Sequence, residues 1–359
     1  MFDVPLAPRT TLRLGGAARE LVRPTSEEEL ADALVTATDE GREILVLGGG
    51  SNLVVGDAGF GGLVVAMDGL TGLRVAFSDD GTSVLVDAAA GEPWDAFVRS
   101  MVADGHRGVE CLAGIPGLVG ATPIQNVGAY GSEVVDTIVS VRAFDRRTSS
   151  FVTLANADCG FRYRQSRFKG DSRFVVVSVR FRFDVATTSG PLRYRELANA
   201  LSVAEGGTAP LARVVETVTS LRRAKGMVVD PSDPESVSAG SFFTNPVLGM
   251  DAWRAFEARA RSAEFGAPAV DPSTPIPSFP EADGRVKLSA GWLVERSGFP
   301  RGTERGRVKV SSKHALALVH KGGGTTAELV DLARAIRDGV RARFGVVLVP
   351  EPVFVGVTF

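Results

Sequence analysis

Apolar and polar positions alternate along this chain with two distinct periods, and the period changes mark its elements. In SEEELADALVTA (26–37) Ser26 is followed three residues on by Glu29, a capping-box spacing ahead of an apolar helical period. EILVLGGGSNLVV (43–55) reads as a strand running into a glycine-rich turn. GLVVAM (62–67), LRVAFS (73–78) and SVLVDAAA (83–90) read as strands, with DDG at 79–81 as a turn between two of them. EPWDAFVRSMVADG (92–105) is an amphipathic helix stopped by Gly105. VVDTIVSVRAFD (134–145) and RFVVVSVRFRF (173–183) are further strands. This half is α+β, with mixed strands and few helices.

The composition changes near 184–192, where VATTSGP reads as a linker. Beyond it, PLARVVETVTSLRRAKG (210–226) predicts a helix with a basic end. DPSDPESVSAG (230–240) and DPSTPIPSFPEADG (271–284) read as loops rich in proline and serine. KLSAGWLVERSGF (287–299) predicts a short helix and KHALALVHK (313–321) a strand. Thr325 and Glu328 form a second capping box for a helix over 325–345. VVLVPEPVFVGV (346–357) reads as a last strand. No fixed-period repeat is visible.

Composition narrows the function classes. A length of 359 residues implies two or three domains at about 150 residues each. A net charge of −2 gives no global reason to expect nucleic acid or an anionic membrane, so an anionic ligand must meet local basic residues. Cys111 and Cys159 are the only cysteines, which leaves no disulfide framework and no cysteine-rich metal site. His106, His314 and His320 are too few to suggest a histidine metal cluster, so no metal is expected. MFDVPLAPRT has neither a basic n-region nor an apolar h-region. No apolar stretch approaches the roughly 18 residues of a membrane span; GVVLVPEPVFVGV (345–357) is cut by Pro350, Glu351 and Pro352. The expectation is a cytoplasmic protein.

Two glycine loops and one serine segment carry the candidate chemistry. LGGGSNLVV (47–55) sets three glycines, Ser51 and Asn52 after a strand. Glycines let the backbone approach a ligand, and their N–H groups can cradle phosphate. Leu53 stands where a dinucleotide fingerprint needs its third glycine, and no Gly-Lys-Ser/Thr follows for a P-loop. GIPGLVGATPIQNVGAYG (114–131) is long for a loop inside a domain, and its Ile, Leu, Val and Tyr disfavour disorder. Two such loops suit a long, flat, phosphate-bearing cofactor. SAGSFFTNP (238–246) places Ser241 between small residues and an aromatic pair that needs burial. On these residues alone Ser241 is a nucleophile, a proton donor, a helix cap or a serine with no special role. Phe243 occupies the second glycine of a nucleophile elbow, which weakens the first reading.

The pair GGGSNLVV and GIPGLVGATPIQNVGAYG resembles the flavin domain of the UDP-N-acetylenolpyruvoylglucosamine reductase family. The resemblance runs from TLRLGG (11–16) to the last strand and takes in GFRYRQSRFK (160–169), AGSFFTNP (239–246), ADGRVKLSAGWLVE (282–295) and VPEP (349–352). It implies an FAD-binding domain of the vanillyl-alcohol-oxidase type over 1–184, in subdomains of about 1–68 and 69–184. An α+β substrate-binding domain over 185–345 and a closing strand over 346–359 follow. FAD contacts carry over to Gly48, Gly49, Gly50, Ser51 and Asn52, and to Ile115, Pro116, Gly117, Gly120, Ala121, Gln125 and Asn126.

The activity so implied is NADPH-dependent reduction of the enolpyruvyl group of a UDP-sugar through FAD, in peptidoglycan precursor synthesis. NADPH and substrate are expected to use one site alternately. The chemistry needs a hydride at the vinyl carbon, a cation for the charge that develops on the carboxylate, and an acid for the neighbouring carbon. The resemblance gives the cation to Arg164, with Tyr163 orienting it. It gives carboxylate support to Glu351 and the proton to Ser241. Lys225, Asn245, Tyr194 and Lys287 are expected to meet the substrate, the first two at its diphosphate. Phe279 stands where some members place a substrate-covering tyrosine, the stretch from Lys225 to Ser241 is longer than in the best-known members, and Pro352 follows the glutamate. The loop 271–281 reads as a lid. No nucleic acid, membrane or obligatory protein partner is expected, and a monomer is. Two alternatives stay open: another FAD-linked oxidase or dehydrogenase acting on alcohols or sugars, with flavin tethered through His106 or Cys111, and a non-catalytic nucleotide-sugar binding protein.

Overall fold

A computed structural model describes residues 1–263, 270–271 and 273–359. The chain folds as two compact units that it visits alternately. The first holds residues 1–4, 18–50 and 61–228; the second holds 5–17, 51–60 and 229–359.

In the first unit, helix α1 (Glu27–Asp39) starts where the capping signal places it. Ser26 Oγ accepts the Glu29 N–H at 3.2 Å, as a capping box requires. The Glu29 carboxylate, however, turns to the Thr25 N–H and hydroxyl, at 2.8 and 3.0 Å. Leu30, Leu34 and Ala37 form the buried stripe of α1. A sheet runs in the order Phe2–Pro5, Ala17–Val22, Phe60–Ala66, Ile44–Leu47. Its last pair is parallel, so Ile44–Leu47 delivers the chain directly to Gly48.

A second, antiparallel sheet runs Ser150–Ala155, Ile138–Asp145, Phe174–Val185, Ser83–Ala89, Leu73–Phe77. Arg142 pairs with Ser178 but Ala143 with Val176, so the long central strand carries a bulge. A bulge shifts the in–out alternation by one residue. Val175 and Val177 therefore pack on the core of α1, while Val179, Phe181 and Phe183 face the opposite core. That second core is built on Trp94, Phe97, Val98 and Met101 of α2 (Trp94–Ala103). Helices α3 (Arg195–Leu201) and α4 (Leu211–Ala224) bury Leu197, Leu201, Val214 and Val218 in it. The segment of linker-like composition is held down here: the Ser189 and Leu192 N–H groups donate to Ala209 and Gly207 carbonyls at 2.8 and 2.9 Å.

In the second unit, Ser238–Ser241, Ala317–His320, Val308–Val310 and Glu304–Arg305 form one sheet. Val247–Leu248, Val286–Leu288 and Ser278–Pro280 form another. Its core joins Phe256 of α5 (Met250–Arg261), Leu293 and Val294 of α6 (Ala290–Arg296), and Leu329, Ala333, Ile336 and Phe344 of α7 (Thr326–Phe344). The α7 capping box is complete, with both reciprocal bonds present. Asp57 strengthens this helix start, its two carboxylate oxygens accepting the Thr326 and Ala327 N–H groups at 2.7 and 3.0 Å.

Two expected strands are shorter than their apolar runs. Residues 313–316 form a turn, and only Ala317–His320 is strand. Of 346–357 only Val353–Val355 is strand, parallel to Leu53–Val55. Pro350 and Pro352 lack the N–H groups a ladder needs, and their absence ends the pairing.

Candidate active site

The first unit brings the two glycine loops together. A Cβ on Gly49 would lie 2.7 Å from Gly117 Cα, so the runs touch backbone to backbone and Gly49 has no room for a side chain. Gly117 has φ +127°, which a larger residue adopts only under strain. Its carbonyl accepts the Trp94 N–H at 3.0 Å, tying the second loop to α2. A Cβ on Gly120 would meet Ala90 Cβ at 2.5 Å, and the Gly120 N–H donates to the Ala90 carbonyl at 2.9 Å. Gly48 lies over Ala121, with 3.7 Å between its ideal Cβ position and the Ala121 methyl. Ile115, Pro116, Ala121 and Gln125 along this floor are half-buried. A narrow, backbone-lined cradle of this kind fits a flat dinucleotide held by main-chain groups. Ser51 and Asn52, which continue the first run, belong to the second unit.

The loop after this floor is ordered by Asn126. Asn126 is buried at φ +46°; its Nδ2 donates to Glu133 Oε2 at 2.6 Å and to the Arg162 carbonyl at 3.3 Å, while its Oδ1 accepts the Val135 N–H at 3.2 Å. The side chain thus organises the loop through bonds within the protein. Arg164, at φ +52°, donates from Nη2 to the Gly128 carbonyl at 2.7 Å and from Nη1 to the Asn126 carbonyl at 3.4 Å. Its guanidinium carbon lies 5.3 Å from the ring centre of the exposed Tyr163. Ser166 Oγ donates to the Ile124 carbonyl at 2.6 Å and fixes the arginine turn to the glycine loop.

The same loop closes in a hairpin, Gly128–Ala129 against Ser132–Glu133. Tyr130 and Gly131 at its tip both have positive φ, +50° and +82°, as a type I′ turn demands. The hairpin carries the Tyr130 ring to Tyr194, edge to face at 5.4 Å, and to Lys225, whose Nζ lies 5.7 Å from the ring centre. Lys225 Nζ also pairs with Glu196 at 2.7 Å. Burial pushes the Tyr130 phenol up to about 12, against the lowering effect of the nearby Arg222. Tyr130 and Glu133 were not expected from the motifs. A signal was present: the chain has three tyrosines, and two were already placed at the site.

The second unit gathers Asn52, Ser241 and Glu351. Ser241 lies at the end of a strand, which removes the helix-cap reading. The strand is bulged: Ser238 pairs with Val319 and Ser241 with Ala317, three residue steps against two. Gly240, at φ +73°, takes the extra position, and Ser238 Oγ accepts its N–H at 3.2 Å. Phe242 and Phe243 are buried, as their character requires. The Phe242 carbonyl accepts the Glu351 N–H at 2.9 Å, and the Thr244 N–H donates to the Val349 carbonyl at 3.0 Å. The Asn52 side chain donates from Nδ2 to the Glu351 carbonyl at 3.3 Å, and the Asn52 carbonyl accepts the Val353 N–H at 2.9 Å. Pro352 sits between two bonded N–H groups, so its missing donor leaves no gap beside Glu351.

Asn245 Oδ1 accepts the Ala290 N–H at 2.9 Å, which leaves the NH2 end of the amide as a donor. Lys287 pairs with Glu281 at 2.5 Å, and it stands opposite the exposed Phe279 across the strands 278–280 and 286–288. Of the expected lid, Pro272 lies outside the described residues. Burial pushes the Cys111 thiol up to about 12, which disfavours the thiolate.

Comparison with known proteins follows the same lines. Residues 18–154 match the FAD binding domain family. Residues 232–355 match the family described as UDP-N-acetylenolpyruvoylglucosamine reductase, C-terminal domain. The chain is 51% identical over 356 residues to the UDP-N-acetylenolpyruvoylglucosamine reductase of Thermobifida fusca (strain YX), covering 99% of this chain and 98% of that protein. It is 51% identical over 362 residues to the enzyme of that name from Streptomyces avermitilis, covering 99% and 95%. The fold matches the crystal structure of UDP-N-acetylenolpyruvylglucosamine reductase from Thermus caldophilus with a TM-score of 0.63 at 23% identity, over 98% and 97% of the two chains.

Proposed function

The chain belongs to the UDP-N-acetylenolpyruvoylglucosamine reductase family, and from that premise we propose how its residues divide the reaction. The protein is an FAD-containing oxidoreductase that uses NADPH to reduce the enolpyruvyl group of UDP-N-acetylenolpyruvoylglucosamine, giving UDP-N-acetylmuramate for peptidoglycan synthesis. FAD, when bound, supplies the hydride for the vinyl carbon. Gly48, Gly49, Gly50, Gly117 and Gly120 offer backbone to it, and Ser51, Asn52, Ile115, Pro116, Ala121 and Gln125 border it. Asn126 acts one step back, shaping the loop.

Negative charge from hydride addition spreads into the substrate carboxylate. Arg164 meets it: a guanidinium stays charged and grips a carboxylate through two N–H groups. The carbonyls of Asn126 and Gly128 fix the guanidinium. Tyr163 flanks it. Glu351 supports the carboxylate end, and Ser241 donates the proton to the adjacent carbon. Lys225, the NH2 of Asn245, Tyr194 and Lys287 bind the UDP-sugar, with Tyr130 completing the aromatic wall. Lys225 and Lys287 begin paired with Glu196 and Glu281, so the UDP-sugar must draw each ammonium from a carboxylate.

The observation that carries this reading is the backbone tie between the Ser241 segment and Glu351. It ties the chain segment that carries the Glu351 carboxylate to the end of the strand that carries the Ser241 hydroxyl, the kind of backbone support a positioned proton donor needs. We take the enzyme to act as a cytoplasmic monomer without an obligatory protein partner; no helix among the described residues is long and apolar enough to cross a membrane. Stopped-flow absorbance tests the donor. Ser241→Ala should leave flavin bleaching by NADPH unchanged and slow reoxidation by substrate by roughly 10²–10⁴-fold. Equal loss in both half-reactions would sink the assignment.

A further inference from the structure

The second unit buries an ionic cluster that touches none of the groups assigned above. Glu235 stands in the turn Pro234–Ser236, between the second-unit boundary and Ser241, and is 6% exposed. Its carboxylate accepts from Lys309 Nζ, from Ser311 Oγ at 2.6 Å and from the Ser312 N–H at 2.9 Å. Lys313 Nζ adds a parallel tie to Asp233 at 2.8 Å. A buried charge pair costs several kcal/mol to desolvate. Apolar replacements of such pairs are often neutral for stability, so what this pair contributes is sought in the geometry it imposes.

That geometry leads to the serine. Ser311 is wholly buried; besides bonding Glu235, its Oγ accepts the Lys313 and His314 N–H groups at 3.1 and 3.3 Å, which shapes the turn 311–317. The Ser311 N–H donates to the Ala317 carbonyl at 2.8 Å. Ala317 is the strand partner of Ser241, and the Leu316 carbonyl accepts the Phe242 N–H at 2.7 Å. Glu235 therefore fixes the turn whose far end holds both the proton donor and the residue after it. The strand between is bulged at Gly240, and a bulge re-aims the side chain that follows it.

We infer that Glu235 is a positioning residue for Ser241, acting through Ser311 and Ala317. This rests on the reading of Ser241 as proton donor. The test is a double-mutant cycle on the FAD-loaded enzyme, read by stopped-flow in each half-reaction. Glu235→Ala should slow reoxidation by substrate roughly 10- to 100-fold, the scale of a small misplacement of a reacting group, and leave bleaching by NADPH unchanged. In a Ser241→Ala background the same change should cost less than about twofold, because the group it positions is gone. Glu235→Gln, which keeps an acceptor for Ser311, should recover part of the rate. Ser311→Ala cuts the same link without touching a charge, and carries the test if Glu235→Ala does not fold. An equal loss in both backgrounds, or none in either, would overturn the inference. A slow Ser241→Ala enzyme with a silent Glu235→Ala would remove only the positioning role; a fast Ser241→Ala enzyme would remove the donor reading itself.

Discussion

Gly49→Ala tests the backbone cradle with a single methyl group. The new carbon would stand 2.7 Å from Gly117 Cα, 3.2 Å from its carbonyl carbon and 3.4 Å from its nitrogen. Carbon atoms settle at about 3.5–4.0 Å, so the loops must part by most of an ångström. The obstacle is main chain on both sides, and no rotamer change relieves it. Overpacking of this kind costs about 1–3 kcal/mol. At 1.4 kcal/mol per tenfold, FAD affinity should fall roughly 5- to 150-fold if the strain is borne where the cofactor binds. Titrating the apoprotein with FAD by flavin fluorescence gives Kd, and a melting curve of the same apoprotein shows whether the fold shares the cost. Gly61→Ala is the matched control, since its added methyl would meet nothing within 4 Å. A Gly49→Ala protein whose Kd and melting temperature both stay at the Gly61→Ala values would refute the close contact. A lowered melting temperature with unchanged Kd would place the strain away from the cofactor.

Other consequences follow from single contacts. Gly240→Ala puts a Cβ at φ +73°, so it should cost about 1–2 kcal/mol, read as a lower urea midpoint. Asp57→Ala removes two N–H acceptors at the start of α7 and should cost about 0.5–2 kcal/mol in the same assay. For Glu235, burial would raise the carboxyl, but Lys309, Ser311 and Ser312 outweigh it and hold it at about 2, below its ordinary 4.5. A depressed acid stabilises the fold fully above its unfolded value, and the benefit fades as pH falls from 4.5 toward 2. Glu235→Gln should therefore flatten the acid limb of the stability curve in that window; an unchanged limb would contradict the burial of an ionised group.

Much of this architecture was legible because local signals and tertiary structure agree. Ser26, Thr325 and Glu328 cap the helices they were expected to cap, and the glycine runs meet as two loops serving one ligand should. The misses have physical causes. Helix α5 is charge-rich and buries only Phe256 and Ala260, so its low apolar content, not a lack of helical period, hides it in the sequence. Residues 346–352 are apolar enough for a strand, yet two prolines decide otherwise. The linker composition at 184–192 says nothing of tertiary bonds, and helices α3 and α4 after it bury apolar residues in the core that also holds Trp94 and Phe97. At the site, Glu133 and Glu235 were invisible for a different reason. Glu133 meets the Asn126 side chain seven residues back within one loop, a pair no motif marks, and Glu235 meets Ser311 far along the chain, a contact no spacing pattern encodes.

Electrons pass from NADPH through FAD to the enolpyruvyl group, and anaerobic absorbance follows that path directly. Purified protein should show the spectrum of oxidised FAD, lose it on addition of NADPH, and regain it when UDP-N-acetylenolpyruvoylglucosamine is added without oxygen, with UDP-N-acetylmuramate recovered by mass spectrometry. Acid precipitation should release all the colour, as noncovalent FAD requires. A spectrum restored by oxygen but indifferent to the enolpyruvyl substrate would contradict the account and indicate an oxidase on the same fold.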